Sequence, residues 1–187
     1  MKNKPVFYDT DCLACFLVIG DVSILCNLFS KIIIPKPVYE ELSHDGTPLF
    51  IKTNLYNLIE KDFVEVKDIS IISKEYTAYK CIKDGLWSNR PVGKGEASAI
   101  AFAIKNNGVV ASNNLKDVKE LTEKYELPLL TTALILAKSV QKGLIDESRA
   151  NSMWKKMLER NRNLPDNSFS DYYSNRYKKD CEEFLDF

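Results

Sequence analysis

Short apolar runs, each followed by a helical pattern, recur along this chain and leave it few architectures. The runs are residues 6–8 (Val-Phe-Tyr), 32–34 (Ile-Ile-Ile), 63–66 (Phe-Val-Glu-Val), 109–111 (Val-Val-Ala) and 128–130 (Pro-Leu-Leu). Helical spacing follows over residues 11–18, 22–29, from Pro37 through Leu42, 49–60, 73–83, 96–107, 115–125 and 133–142. Pro37 suits the first turn of its helix, and Ser73 can cap its own. In the clearest case Ala97, Ile100, Ala101 and Ile104 fall on one helical face. Alternation of short strands with helices predicts a parallel sheet covered on both faces.

Acidic or amide residues stand at four of the handovers from strand to helix or just inside the helix. They are Asp9-Thr10-Asp11, Glu40-Glu41, Glu96 within Gly93-Lys94-Gly95-Glu96-Ala97, and Asn113-Asn114 with Asp117. Parallel sheets collect ligands and catalytic groups outside the carboxyl ends of their strands. Taken singly, each cluster has an ordinary explanation, because Asp and Asn cap helices and a first-turn Glu or Asp favours the helix dipole. Taken together, the carboxylates would repel one another unless a hard cation such as Mg²⁺ or Mn²⁺ neutralised them. The pattern points to a divalent-metal site for phosphodiester chemistry.

Composition narrows the partners less. Of 187 residues 45% are hydrophobic, enough for one core with a small appendage. Lys+Arg and Asp+Glu both total 26, so overall basicity gives no argument for nucleic-acid binding. No run approaches the roughly 18–20 apolar residues of a membrane span, and no secretory signal is legible. Five cysteines, one CxxC (Cys12 to Cys15) and the single His44 fit reduced core thiols in a cytoplasmic protein better than a disulfide framework or a structural zinc site. Residues 146–160 read as a capped amphipathic helix, 161–170 as a polar link and 171–187 as a last helix. The expected division is a domain over 1–145 and a helical extension over 146–187 packed on it.

The motif order Asp9-Thr10-Asp11, Pro-x-x-Val-x-Glu-Glu-Leu, Gly-x-Gly-Glu-Ala-x-Ala-Ile-Ala-x-Ala and Val-Val-x-Ser-Asn-Asn resembles a PIN domain, of the prokaryotic VapC-like, toxin-related kind. The likeness spans about residues 5–145 and is most specific over residues 93–103 and 109–114. It implies a three-layer α/β/α fold with a mostly parallel central sheet, one or two Mg²⁺ or Mn²⁺ ions, and hydrolysis of RNA. It further implies a protein antitoxin seated in the active-site groove, and a homodimer.

Matched position by position, Asp9 is the first metal-binding aspartate, Glu41 the second acid in preference to Glu40, and Glu96 the third. The fourth position ordinarily carries aspartate and here holds Asn114, which offers a cation a carbonyl oxygen but no charge. Asp117, three residues on, is placed to restore that charge; its ordinary alternative is a first-turn charge. Asn113 and Asn114 can instead hold a water or a phosphate oxygen. Thr10 or Ser112 is placed to orient a water, and Glu41 either binds metal through water or accepts a proton. Lys80, Lys83, Arg90 and Lys94, with Trp87 among them, make a basic loop suited to single-stranded RNA, or simply a solvated loop. Lys155, Lys156, Arg160 and Arg162 read as a solvated helix face. An RNA- or protein-binding module without hydrolysis, and a nuclease acting on DNA, are the alternatives the residues leave open.

Overall fold

The computed structural model describes residues 4–185. A five-stranded sheet is built from β1 (Val6–Tyr8), β2 (Ile32–Pro35), β3 (Val64–Lys67), β4 (Val109–Ala111) and β5 (Leu129–Leu130). Its order is β3-β2-β1-β4-β5 and every pairing is parallel. The strand order therefore reverses at β1 and β4, the point where open α/β sheets build their crevices.

Helices complete the layers: α1 (Thr10–Ile19), α2 (Ser23–Leu28), α3 (Lys36–Ser43), α4 (Leu49–Glu60), α5 (Lys74–Lys83), α6 (Lys94–Asn106), α7 (Leu115–Lys124) and α8 (Thr132–Gln141). Strand alternation on β1 divides the faces. Phe7 stacks on Phe102 of α6 with ring centroids 5.4 Å apart, while Tyr8 meets Phe29, just past α2, edge-on at 6.2 Å. All three residues of β1 are buried, as a strand covered on both sides must be. Cys12 and Cys15 are buried free thiols, and burial pushes the Cys15 thiol up to about 11. Cys26, by contrast, is exposed. Among the described residues no helix is long and apolar enough to cross a membrane.

Two expectations are revised. The second strand, expected over residues 32–34, runs one residue further, and Pro35 pairs with Lys67. The final helix is two helices, α10 (Phe169–Asn175) and α11 (Tyr177–Leu185), parted at Arg176. Ser168 caps α10 by accepting from the Asp171 N–H, so the helix starts earlier than its first charged residue. Arg176 turns back to Asp166 and the Pro165 carbonyl. Residues 186 and 187, the expected end of that helix, lie outside the described residues.

Residues 146–185 are tied to the core through α9 (Glu147–Glu159), which packs on α1 and α8, and through α11, which packs on α8 and β5. Trp154 is fully buried between Phe169 and Tyr172, and its indole N–H donates to the Asp166 carbonyl at 3.0 Å. Helix α9 closes with a double bond pattern. The Asn161 N–H donates to the Leu158 carbonyl at 2.9 Å and the Arg162 N–H to the Met157 carbonyl at 3.0 Å. Asn161 has φ 56°, the left-handed conformation such an ending requires and Asn tolerates. The chain is thereby turned back over α1.

Gly108 precedes β4 where a Cβ would lie 2.5 Å from the Phe7 ring and 2.8 Å from the Pro5 carbonyl oxygen. Gly108→Ala is expected to destabilise the protein by about 1–3 kcal/mol, the usual cost of overpacking a filled core, as measured by urea denaturation.

Candidate metal centre

The register of β1 and β4 fixes the first carboxylate. Tyr8 is level with Ala111, and the Asp9 N–H donates to the Ala111 carbonyl at 2.9 Å. Asp9 and Ser112 therefore leave the sheet side by side. The Ser112 hydroxyl donates to Asp9 Oδ2, and the Cys12 N–H donates to Asp9 Oδ1 at 2.8 Å. Asp9 thus caps α1 from a buried position, 1% exposed, at the carboxyl end of β1. Burial raises its pKa from the usual carboxylate value to about 7; the Ser112 and Cys12 bonds oppose that rise, and the charges of Glu96 and Asp11 add to it. An uncompensated carboxylate in this setting favours its protonated form.

Glu96 lies in the first turn of α6 and is half-buried. Its Oε1 accepts from Asn114 Nδ2 at 3.0 Å, and the same amide nitrogen donates to Asp117 Oδ2 at 2.8 Å. The amide of Asn114 consequently bridges two carboxylates, presenting positive N–H groups where a cation would neutralise them. Its backbone N–H donates to the Ser112 hydroxyl at 3.1 Å, which holds the bridge beside Asp9. Turning the amide over would present Oδ1 instead. Asp117, also half-buried, places its other oxygen 2.7 Å from the Arg90 guanidinium, which also donates to the Lys116 carbonyl.

Glu41 stands on the exposed side of the cluster, and its Oε2 accepts from the Thr10 hydroxyl. Helix α6 approaches this pair closely enough that a Cβ on Gly95 would be 3.1 Å from Thr10 Oγ1 and 3.4 Å from Glu41 Oε2. Gly95 is what lets Glu96 ride in beside α1 and α3. Glu40 is exposed and hydrogen-bonds to none of these groups.

Other expected site residues lie elsewhere. Asn113 turns away: its Oδ1 accepts from the Thr132 N–H at 2.8 Å and its Nδ2 donates to Thr132 Oγ1 at 2.9 Å, which pins the β4–α7 turn to the start of α8. Asp11 is exposed and faces Arg162 at 3.9 Å. In the basic loop only Arg90 meets the acidic cluster. Lys94 is exposed two residues before Glu96, Lys83 pairs with Asp84 at 3.4 Å, and Trp87 packs on Tyr125 with its carbonyl accepting from Lys124. Arg162, read as part of a solvated helix face, instead lies past the end of α9, at the rim of the crevice. A position past the helix agrees with the polar link expected over 161–170, whereas the direction taken towards α1 depends on the left-handed turn at Asn161.

A family model described as DUF3368, PIN domain, matches residues 5–175. The chain belongs to the PIN-domain superfamily. The match continues past residue 145 through α9 and α10. PIN domains are generally nucleases that act on nucleic acids and use divalent metals, so this PIN domain has a nuclease-type fold. No curated protein matches the chain.

The donor set suits a hydrated Mg²⁺ or Mn²⁺ rather than an ion enclosed by protein ligands alone. Among the described residues no three His, Cys, Asp or Glu side chains group closely enough to enclose a metal ion by themselves. Mg²⁺, however, keeps several waters and is commonly held by one or two carboxylates. The buried Asp9 carboxylate with Glu96 beside it, and Asn114 through Oδ1, answer that description.

The raised Asp9 pKa sets a pH test. Between about pH 4 and 7 the folded, metal-free protein retains a proton that the unfolded chain has already given up, so this contribution to stability, full below about pH 4, is lost as pH rises to about 7. In EDTA, the melting temperature of Asp9→Asn relative to the parent is expected to climb from about pH 5 to about pH 8. Mg²⁺ added at the higher pH is expected to raise the parent's melting temperature and leave Asp9→Asn unmoved.

Proposed function

We propose that this PIN domain is a divalent-metal-dependent endoribonuclease that hydrolyses RNA phosphodiester bonds, as the cytoplasmic toxin of a toxin–antitoxin pair. One observation carries the reading: a fully buried aspartate at the end of the central strand, pinned by two hydrogen bonds and with Glu96 beside it, at the point where the strand order reverses. Burying a carboxylate there is costly unless a cation compensates it. The family's usual chemistry and the resemblance to VapC-like proteins support the rest, including an antitoxin over the groove and a homodimer.

Asp9, Glu96 and Asn114 would hold the ion, with Asp117 contributing charge. When bound, Mg²⁺ or Mn²⁺ supplies Lewis acidity, polarising a phosphoryl oxygen and acidifying a water. Ser112 and the Cys12 N–H hold Asp9 in a single orientation, so no reorganisation of that carboxylate is needed during the reaction. Glu41, exposed and oriented by Thr10, accepts the proton of the attacking water. Arg90 stands at the rim, where exchanging Asp117 for a substrate phosphate keeps its charge paired.

EDTA-sensitive cleavage of a labelled pool of single-stranded RNA and tRNA is expected with Mn²⁺ or Mg²⁺. Asp9→Ala with Glu96→Ala is expected to lower it at least about a thousandfold, roughly 4 kcal/mol of transition-state stabilisation. Cleavage that ignores EDTA or the double substitution would reject the reading.

A second reading has its own observation. The Asn114 amide already bridges Glu96 and Asp117, and Arg90 already neutralises Asp117, an arrangement that suits an RNA- or protein-binding module without hydrolysis. Asn114→Asp separates the two. The nuclease reading predicts a change in kcat/KM of less than about tenfold, under about 1.4 kcal/mol. A gain of about a hundredfold or more would favour the second.

A further inference from the structure

Beside the carboxylates lies a polar cavity of about 390 Å³, bounded by Asp11 and Cys15 of α1, by Asn113 and Asn114, and by Asn161, Arg162 and Asn163. Its far wall is made by the turn after α9, outside the strand–helix core that carries the acids. We propose that this cavity is a nucleotide subsite for single-stranded RNA, in which Arg162 holds a backbone phosphate next to the scissile one and Asn161 and Asn163 meet the base or ribose. The proposal rests on the nuclease reading for its substrate class.

Position supports it first. Asn114 is shared between the cavity and the carboxylate bridge, so a strand lying across Glu96 and Asp117 continues into this cavity without leaving the surface. A volume of about 390 Å³ admits one splayed-out nucleotide but no duplex. Protein recognition of RNA favours such unstacked single strands.

Chemistry supports it next. The cavity is lined mainly by groups able to donate or accept hydrogen bonds, with one cation. Within the described residues, the side chains of Asn161 and Asn163 make no hydrogen bond and are exposed, which leaves their amides available to base edges or hydroxyls. Asn113, whose amide is already engaged by Thr132, serves as fixed wall. Arg162 is loosely engaged: its Nη1 is 3.9 Å from Asp11 Oδ1 and its Nε donates to the Arg160 carbonyl at 3.4 Å. A guanidinium with most of its fork unused is suited to bidentate contact with phosphate. Asp11 screens that charge in the absence of RNA and must yield it when a phosphate arrives.

Backbone geometry makes the placement firm. Asn161 in the left-handed conformation and the two closing bonds of α9 fix the Cα of Arg162, and α9 itself packs on α1. Arg162 is thus presented by rigid secondary structure, although it follows a helix end. The simpler role, an ionic tether between the extension and α1, predicts a stability effect; a loose, solvent-exposed pair adds little stability.

The test is fluorescence anisotropy with a labelled single-stranded oligoribonucleotide and full-length protein carrying Asp9→Asn and Glu96→Gln, so that the probe stays intact. Arg162→Gln is expected to weaken binding about five- to tenfold and to reduce the slope of log Kd against log salt by about 0.7, the signature of one phosphate contact on a single strand. Arg162→Lys should restore the slope. The control Lys155→Gln, exposed on α9, should bind as the parent does, and all variants should melt with the parent. Unchanged affinity and slope in Arg162→Gln, or a fall in its melting temperature without a change in slope, would overturn the proposal. Cleavage by the otherwise wild-type protein separates the two failures. Cleavage with normal binding by Arg162→Gln rejects the subsite and keeps the nuclease; weakened binding without any cleavage keeps the subsite and rejects hydrolysis.

Discussion

The geometry of the acidic cluster depends on one polar contact beside an apolar centre, the Asp9 carboxylate held between the Ser112 hydroxyl and the Cys12 N–H. It exists because β1 and β4 pair in parallel with Tyr8 level with Ala111, which leaves the next residue of each strand adjacent. It also starts α1, since the same carboxylate is that helix's cap. Moving either strand by one residue would flip its side chains to the other face. The register that buries Phe7 against Phe102 therefore also sets the buried carboxylate proposed to meet a cation, so core packing and site geometry share one constraint.

Around that fixed point the other groups are graded by exposure. Asp9 is buried, Glu96 and Asp117 are half-buried, and Glu41 lies at the surface. The grading matches a division of labour in which the buried carboxylate has one geometry and the exposed one can exchange partners with water. The Asn114 amide is the most informative local departure. It keeps two carboxylates together without adding charge, so the cluster is less acidic than four carboxylates would be. Arg90 reduces it further.

Much of this was legible in the sequence because it depends on short-range rules. Strands 6–8 and 109–111 and the helix over 49–60 have the expected limits, since apolar runs and turn residues bound them sharply. Motif order singled out Asp9, Glu41, Glu96 and Asn114 as candidates, and the structure gathers them past the carboxyl ends of the central strands. What was not legible depends on tertiary contacts. The orientation of Asn113 towards Thr132 and the break at Arg176 follow from partners distant in sequence or across a turn. Arg162 was misplaced on a helix face because a helical pattern carries no sign of where a left-handed residue will send the chain beyond it.

The central claim is that the buried Asp9 carboxylate is built to meet a divalent cation. Mn²⁺ titration followed by electron paramagnetic resonance measures this directly, without needing a substrate. Saturable binding by the parent protein, abolished in Asp9→Asn and weakened in Glu96→Gln while Glu40→Gln is unaffected, is the predicted result. Absence of saturable Mn²⁺ binding by the parent, or binding that survives Asp9→Asn undiminished, would contradict the account.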